Sequence, residues 1–157
     1  MFESRDRLAK DIEGLLGAVR VAAGARYACL FDAKALLFEN AEAEEKGVWM
    51  LRRFLEERRA RILEIPGGLA AGGPGEDAFE GWDEDDFLLA FWNGRVAMVL
   101  AGNDAEGARG RIGKPLRALT DRLFRWEPTY RLDPQGRGLF LGRAKLDIIV
   151  VGRPEPA

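Results

Sequence analysis

The segment Phe87–Ala101 constrains the fold more than any other part of the chain. Two apolar runs flank the dipeptide Asn93-Gly94. Both residues tolerate positive φ, so the pair suits the central positions of a type I′ turn that folds the runs into an antiparallel hairpin. Each run is apolar on both faces, which predicts strands that are central in a sheet or covered on both sides. Asn93, Gly94 and Arg95 also interrupt the run well short of the roughly 20 apolar residues that a bilayer span requires.

The remaining elements arrange themselves around this hairpin. Leu8, Ile12, Leu15, Leu16 and Val19 recur at spacings of three and four, predicting an amphipathic first helix. Ser4 stands at its N-cap, Asp6 in its first turn and Gly24 at its end, while Gly14 and Gly17 weaken its middle. Ala25–Phe31 alternates, with Tyr27, Cys29 and Phe31 on one face and Ala28 and Leu30 on the other. A turn at Asp32-Ala33-Lys34 and a return strand over Leu36–Glu39 make this a first hairpin.

A second helix is predicted over Ala43–Leu63. Its apolar residues Val48, Met50, Leu51, Phe54, Leu55, Ile62 and Leu63 spread over more than half the circumference. An ordinary surface helix needs a stripe of about 100° or slightly more, so this one is expected to pack on its own sheet and on something else. Arg58 lies inside the apolar arc. It is either a snorkelling stem near the helix end or an arginine paired across a subunit interface. Trp49 falls on the polar side, where it either packs under the acidic loop or serves as a binding hot spot.

The linking segment 65–86 is too rich in Gly and Pro for a helix; Ala78–Trp82 is expected as a short edge strand. A third helix spans Asp104–Trp126 on the stripe Ala108, Ile112, Leu116, Leu119 and Leu123, kinked or restarted at Pro115. Beyond it lie a turn at Asp133-Pro134-Gln135-Gly136, strands at Leu139–Leu141 and Leu146–Val151, and a disordered tail over 152–157.

The 157 residues correspond to one domain with room for an appendage of about 30 residues. A hydrophobic content of 47% excludes disorder as the main state. The chain has no His, and its hydroxyl and thiol groups are few: Ser4, Thr120, Thr129, Tyr27, Tyr130 and Cys29. A Ser-His or Cys-His nucleophile pair cannot be assembled, nor a zinc site built on His and several Cys. Acid–base chemistry would rest on carboxylates, Lys or Tyr. With 24 basic and 26 acidic residues, the balance argues against a general nucleic-acid binder. One cysteine and a charged start without an apolar leader point to a reducing cytoplasm, and Cys29 itself reads as a buried strand residue.

The acidic cluster Glu76, Asp77, Glu80, Asp83, Glu84, Asp85 and Asp86 lacks the spacing of a calcium loop and reads as a solvated loop. The stretch Gly107–Pro115 is the nearest approach to a phosphate-binding loop. It fails because Ala108 stands where the first Gly belongs and Pro115 where Ser or Thr would bind magnesium. Arg52, Arg53, Arg58, Arg59 and Arg61 are interleaved with Glu56 and Glu57, as on a charge-paired solvent face. Arg109, Arg111, Lys114, Arg117, Arg122 and Arg125 make the third helix the more basic of the two.

The order helix, strand, strand, helix, possible strand, strand, strand, helix resembles the roadblock / dynein light chain family. The local agreement lies in LLGAVRVAAGARYACLFD, a helix running through a Gly turn into a strand; in the short hairpin AKALLFE; in the Asn-Gly hairpin FLLAFWNGRVAMVLAG; and in the helix NDAEGARGRIGKPLRALTDRLF that follows at once. It covers about residues 4–126. Lys34-Ala35 replaces a frequent Gly, the link after the second helix is longer than usual, and the segment from Pro128 onward has no counterpart.

The resemblance implies an α+β fold: a profilin-like three-layer α/β/α sandwich around a central antiparallel sheet, with one helix on one face and two on the other. Residues 1–126 would be the roadblock-like domain, of bacterial type, and 127–157 an extra C-terminal β segment packed on it. It further implies a non-enzymatic homodimeric adaptor or regulator of a small Ras-like GTPase, with the second helices packed together and the sheet continued across the chains. The expected dimer or partner interface is Val48, Trp49, Leu51, Phe54, Leu55, Arg58 and Ile62. The expected basic partner face is Arg109, Arg111, Arg117, Arg122 and Arg125. No catalytic residue, cofactor, metal, nucleic acid or membrane insertion is expected. The alternative is a small-molecule-binding sensor of profilin- or PAS-like architecture, its cavity lined by Phe87, Leu89 and Phe91. A carboxylate enzyme acting on a phosphorylated substrate held by the third helix's arginines is the remaining reading.

Overall fold

The computed structural model describes residues 5–65, 78–92, 96–126 and 147–151. Helix α1 runs over Arg5–Ala23, and its inner face is the predicted one, with Leu8, Ile12, Leu16 and Val19 all buried. It stops at Gly24, whose φ of 67° is easily reached only without a Cβ. Strands β1 (Ala25–Phe31) and β2 (Leu36–Ala41) follow. The turn between them is an Asx turn: one carboxylate oxygen of Asp32 accepts from the backbone N–H of Lys34 and of Ala35, at 2.8 and 2.9 Å. Then come α2 (Lys46–Glu57), α3 (Arg59–Leu63), β3 (Asp86–Trp92) and β4 (Val96–Gly102). Helices α4 (Ala105–Arg111) and α5 (Gly113–Trp126) precede a last strand, β5 (Asp147–Val151).

The strands form one antiparallel sheet in the order β2-β1-β4-β3-β5. The central strands are apolar on both faces because both faces are covered. Ala28, Leu30, Leu88, Ala90, Trp92, Met98 and Leu100 meet α1, α4 and α5 in one core layer. Tyr27, Cys29, Phe31, Phe87, Leu89, Phe91 and Val99 meet α2, α3 and the turn at 78–82 in the other. This is the expected α+β three-layer sandwich, with the second helical segment alone on one face. Leu146–Val151 was expected as a strand, and β5 joins the sheet beside β3.

The structure corrects three local expectations and selects between two alternatives in another. The second helix starts at Lys46 rather than Ala43 and is broken at Arg58, whose φ of −104° and ψ of 8° leave the helical path. Ala78–Trp82 is not a strand. It forms a short 3₁₀ turn that seats Phe79 on Phe87, ring centroids 4.3 Å apart. The third helix, expected to kink or restart at Pro115, restarts: α4 ends at Arg111, and Pro115 sits in the first turn of α5, where its missing N–H has no helical partner to lose. Finally, Trp92 pairs with Val96, which leaves three residues between the strands. A two-residue type I′ loop would have paired Trp92 with Arg95.

Asn93-Gly94 itself lies outside the described residues. So do the Ser4 cap, most of the glycine-rich link, Glu76, Asp77, the turn at 133–136, the strand at 139–141 and the tail at 152–157.

Candidate interaction site

The outward face of α2 carries two adjacent exposed apolar side chains. Among the described residues, the exposed large apolar side chains are Val21, Trp49 and Met50, the last two at 54% and 53% exposure. At about 100° per residue, Trp49, Met50 and Arg53 fall together, opposite Val48, Leu51, Phe54 and Leu55. The buried set spans only about 120°, so the wide arc resolves into an ordinary inner stripe with Met50 left outside it. Five of the expected interface residues, Val48, Leu51, Phe54, Leu55 and Ile62, lie in the chain's own core. They share one buried layer with residues of β1, β3 and β4, and a charged substitution there would report on folding instead of association.

Trp49 is held in place. Its indole N–H donates to Glu44 Oε2 at 3.0 Å. Glu44 lies 3.7 Å from an Arg52 nitrogen, Arg52 Nε donates to Glu39 Oε2, and the Tyr27 hydroxyl donates to that same oxygen at 2.8 Å. A chain of polar contacts thus runs from an exposed tryptophan to a fully buried tyrosine in the central strand. Burial, and after it the neighbouring Cys29 and Glu39, push the Tyr27 hydroxyl above its ordinary range. Trp49 is therefore not packed under the acidic loop. That role falls to Trp82, which is buried and tilted against Phe54 at 5.2 Å.

Arg58 resolves within the chain. Its guanidinium carbon lies 3.8 Å from the centre of the Phe54 ring, and it donates to the Glu80 carbonyl at 3.3 Å. Its Nε is buried without a hydrogen bond among the described residues. The side chain is thus a strut between α2 and the 78–82 turn, stacked by a cation–π contact.

A second polar assembly was not foreseen. Asp85, 2% exposed, accepts from Arg26 Nε at 2.9 Å and Nη2 at 2.6 Å, and from Trp82 Nε1 at 2.8 Å. Glu84 and Glu45 lie 3.6 and 3.9 Å from the same guanidinium. The hydrogen bonds to Asp85 raise the Arg26 pKa further, against the opposing effect of burial. The assembly ties the start of β1 to the approach to β3 and to the N-terminus of α2. The signals for it were an arginine inside an otherwise apolar strand and a carboxylate immediately ahead of another. Among the described residues, no three His, Cys, Asp or Glu side chains are grouped to hold a metal ion.

The basic face of α4 and α5 divides. Arg111 donates through Nε to the Ala22 carbonyl and through Nη2 to the Ala23 carbonyl, both at 2.9 Å. These are orphan acceptors at the C-terminus of α1, so Arg111 caps that helix. Arg109, Lys114, Arg117 and Arg125 are exposed, and Arg122 is half-buried. Phe87, Leu89 and Phe91, proposed above as a cavity lining, are instead packed solid in the α2 layer. The hollow between α1, β4 and α4, lined by Ala23, Leu100 and Ala108, holds about 10 Å³. That is room for about one water. No helix among the described residues is long and apolar enough to cross a membrane.

A covered antiparallel sheet with one helical segment on one face and three helices on the other is the roadblock/profilin-like fold. The chain shares this fold with Myxococcus xanthus MglB: the match has a TM-score of 0.51 at 13% sequence identity and covers 85% of this chain and 98% of that one. No protein-family model matches the sequence, and a search of curated proteins finds no match.

Proposed function

We propose that the chain is a non-enzymatic adaptor or regulator of a small Ras-like GTPase that works as a homodimer. The observation that carries the reading is Trp49, an exposed aromatic on the outer face of α2 fixed by a carboxylate, with Met50 beside it. A pre-positioned tryptophan loses little side-chain freedom on binding, which is the property of a hot spot. The resemblance to roadblock proteins supports the GTPase as partner, and the fold shared with MglB agrees with it. Of the expected interface this reading keeps Trp49 and adds its neighbours Met50 and Arg53; of the expected partner face it keeps the exposed Arg109, Arg117 and Arg125. The sensor reading is not favoured, because Phe87, Leu89 and Phe91 already fill the space it needs.

Light scattering across a dilution series tests the dimer, and capture of purified Ras-like GTPases in their two nucleotide states tests the partner. A wild-type monomer at micromolar concentration would defeat the dimer. A dimer that captures no GTPase in either state would defeat the partner assignment.

A further inference from the structure

The sheet takes its last strand from the far end of the chain. β3 is buried on both faces from Phe87 to Trp92, so its outer edge needs a neighbour. The residues just ahead of it form the turn at 78–82 and supply no strand. β5 fills the position, paired from Phe87 with Val151 to Phe91 with Asp147. Asp147-Ile148-Ile149-Val150-Val151 is β-branched after its first residue, a composition that suits a strand.

Residues 127–146 separate α5 from β5. Twenty residues can reach about 65 Å when extended, while a chain of this length has a radius of gyration of only about 15 Å. β5 can therefore reach the β3 edge of a neighbouring copy. A second copy offers an identical edge and an identical strand, so each ladder bond made within one chain is remade between two. Two copies held at α2 would also present each β5 to its neighbour at high effective concentration. We propose that β5 is an exchangeable strand, completing at β3 the sheet of a second copy of this chain. The proposal rests on the dimer reading above.

The register gives the test, because Ala90 and Ile148 are partners. Opposed strand residues have Cα atoms about 4.5–5.5 Å apart, within disulfide range. Cys29 belongs to the other core layer and does not compete. Full-length Ala90→Cys and Ile148→Cys single variants are unfolded together, refolded, oxidised with glutathione disulfide and run on a non-reducing gel, with peptide mapping of the bridge. A bridged heterodimer in clear excess over either homodimer supports exchange. A dimer by light scattering with no such bridge shows that β5 stays on its own chain and overturns exchange alone. A monomer overturns exchange together with the α2 interface. Should Ala90→Cys fail to fold, Leu88→Cys with Val150→Cys repeats the test at the next but one register pair.

Discussion

Arg26 and Asp85 hold each other on unequal terms, and the inequality can be measured. Asp85 is the buried acid among the described residues, with Arg26 and Trp82 as its donors. Arg26 is a quarter exposed and keeps Glu84 and Glu45 within 4 Å. Arg26→Ala leaves a buried carboxylate with one indole N–H, and stripping one partner from a buried pair costs roughly 3–5 kcal/mol. Asp85→Ala leaves a guanidinium that turns to two glutamates and water. Its main cost is the unpaired Trp82 N–H, about 1–3 kcal/mol. Arg26→Ala is therefore expected to be the worse variant by about 2 kcal/mol in urea unfolding at pH 7. Equal costs or a reversed order would refute the reasoning.

Four further outcomes are expected. Trp49→Ala removes a side chain whose exposed half amounts to about 130 Å², worth about 3 kcal/mol of association if covered; light scattering should show dissociation while the thermal midpoint of the monomer hardly moves. Burial pushes the Cys29 and Tyr27 pKa values up from 9.0 and 10.0, so stability is intact below those values and falls as pH rises past them. The slope is about 1.4 kcal/mol per pH unit for each group, read by denaturation at pH 8 and 10.5, and a flat profile would contradict their burial. A Cβ at Gly107 would meet Asp104 Oδ2 at 2.0 Å, whereas one at Gly110 meets nothing within 4 Å. Gly107→Ala should therefore cost about 1 kcal/mol through the lost N-cap of α4, and Gly110→Ala should be neutral or stabilising by up to about 1 kcal/mol, both by thermal unfolding. Arg111→Met should uncap α1, seen as faster amide exchange in its last turn with the rest of the helix unchanged.

The parts of the fold legible in the sequence were those governed by local periodicity. Alternation assigned Tyr27, Cys29 and Phe31 to one layer and Ala28 and Leu30 to the other, and the structure keeps that division. The α5 stripe and the stop at Gly24 are equally local. What escaped was decided at long range. The break at Arg58 serves a contact with Glu80, 22 residues away, and no helix propensity encodes it. Arg26 and Asp85 lie 59 residues apart, in segments that read separately as an apolar strand and a solvated acidic loop. The wide arc of α2 was misjudged because a wheel counts apolar residues without knowing where the sheet ends. Met50 lies just past that limit and Leu51 well inside it.

The central strands have a consequence for how the chain finds its pairing. In a sheet with one wet face, a slip of one residue is punished at once, because polar side chains enter the core. Here a slip would exchange Leu88 for Leu89, one hydrocarbon for another, and water would not object. Register has to be enforced by volume. On the α2 face of the hairpin, Phe87 stands opposite Ala101 and Phe91 opposite Ala97, each ring beside a residue too small to crowd it. On the other face Ala90 makes the same allowance for Met98. These three alanines act as keyways, and enlarging one would degrade the fidelity of strand pairing as well as the stability of the finished fold.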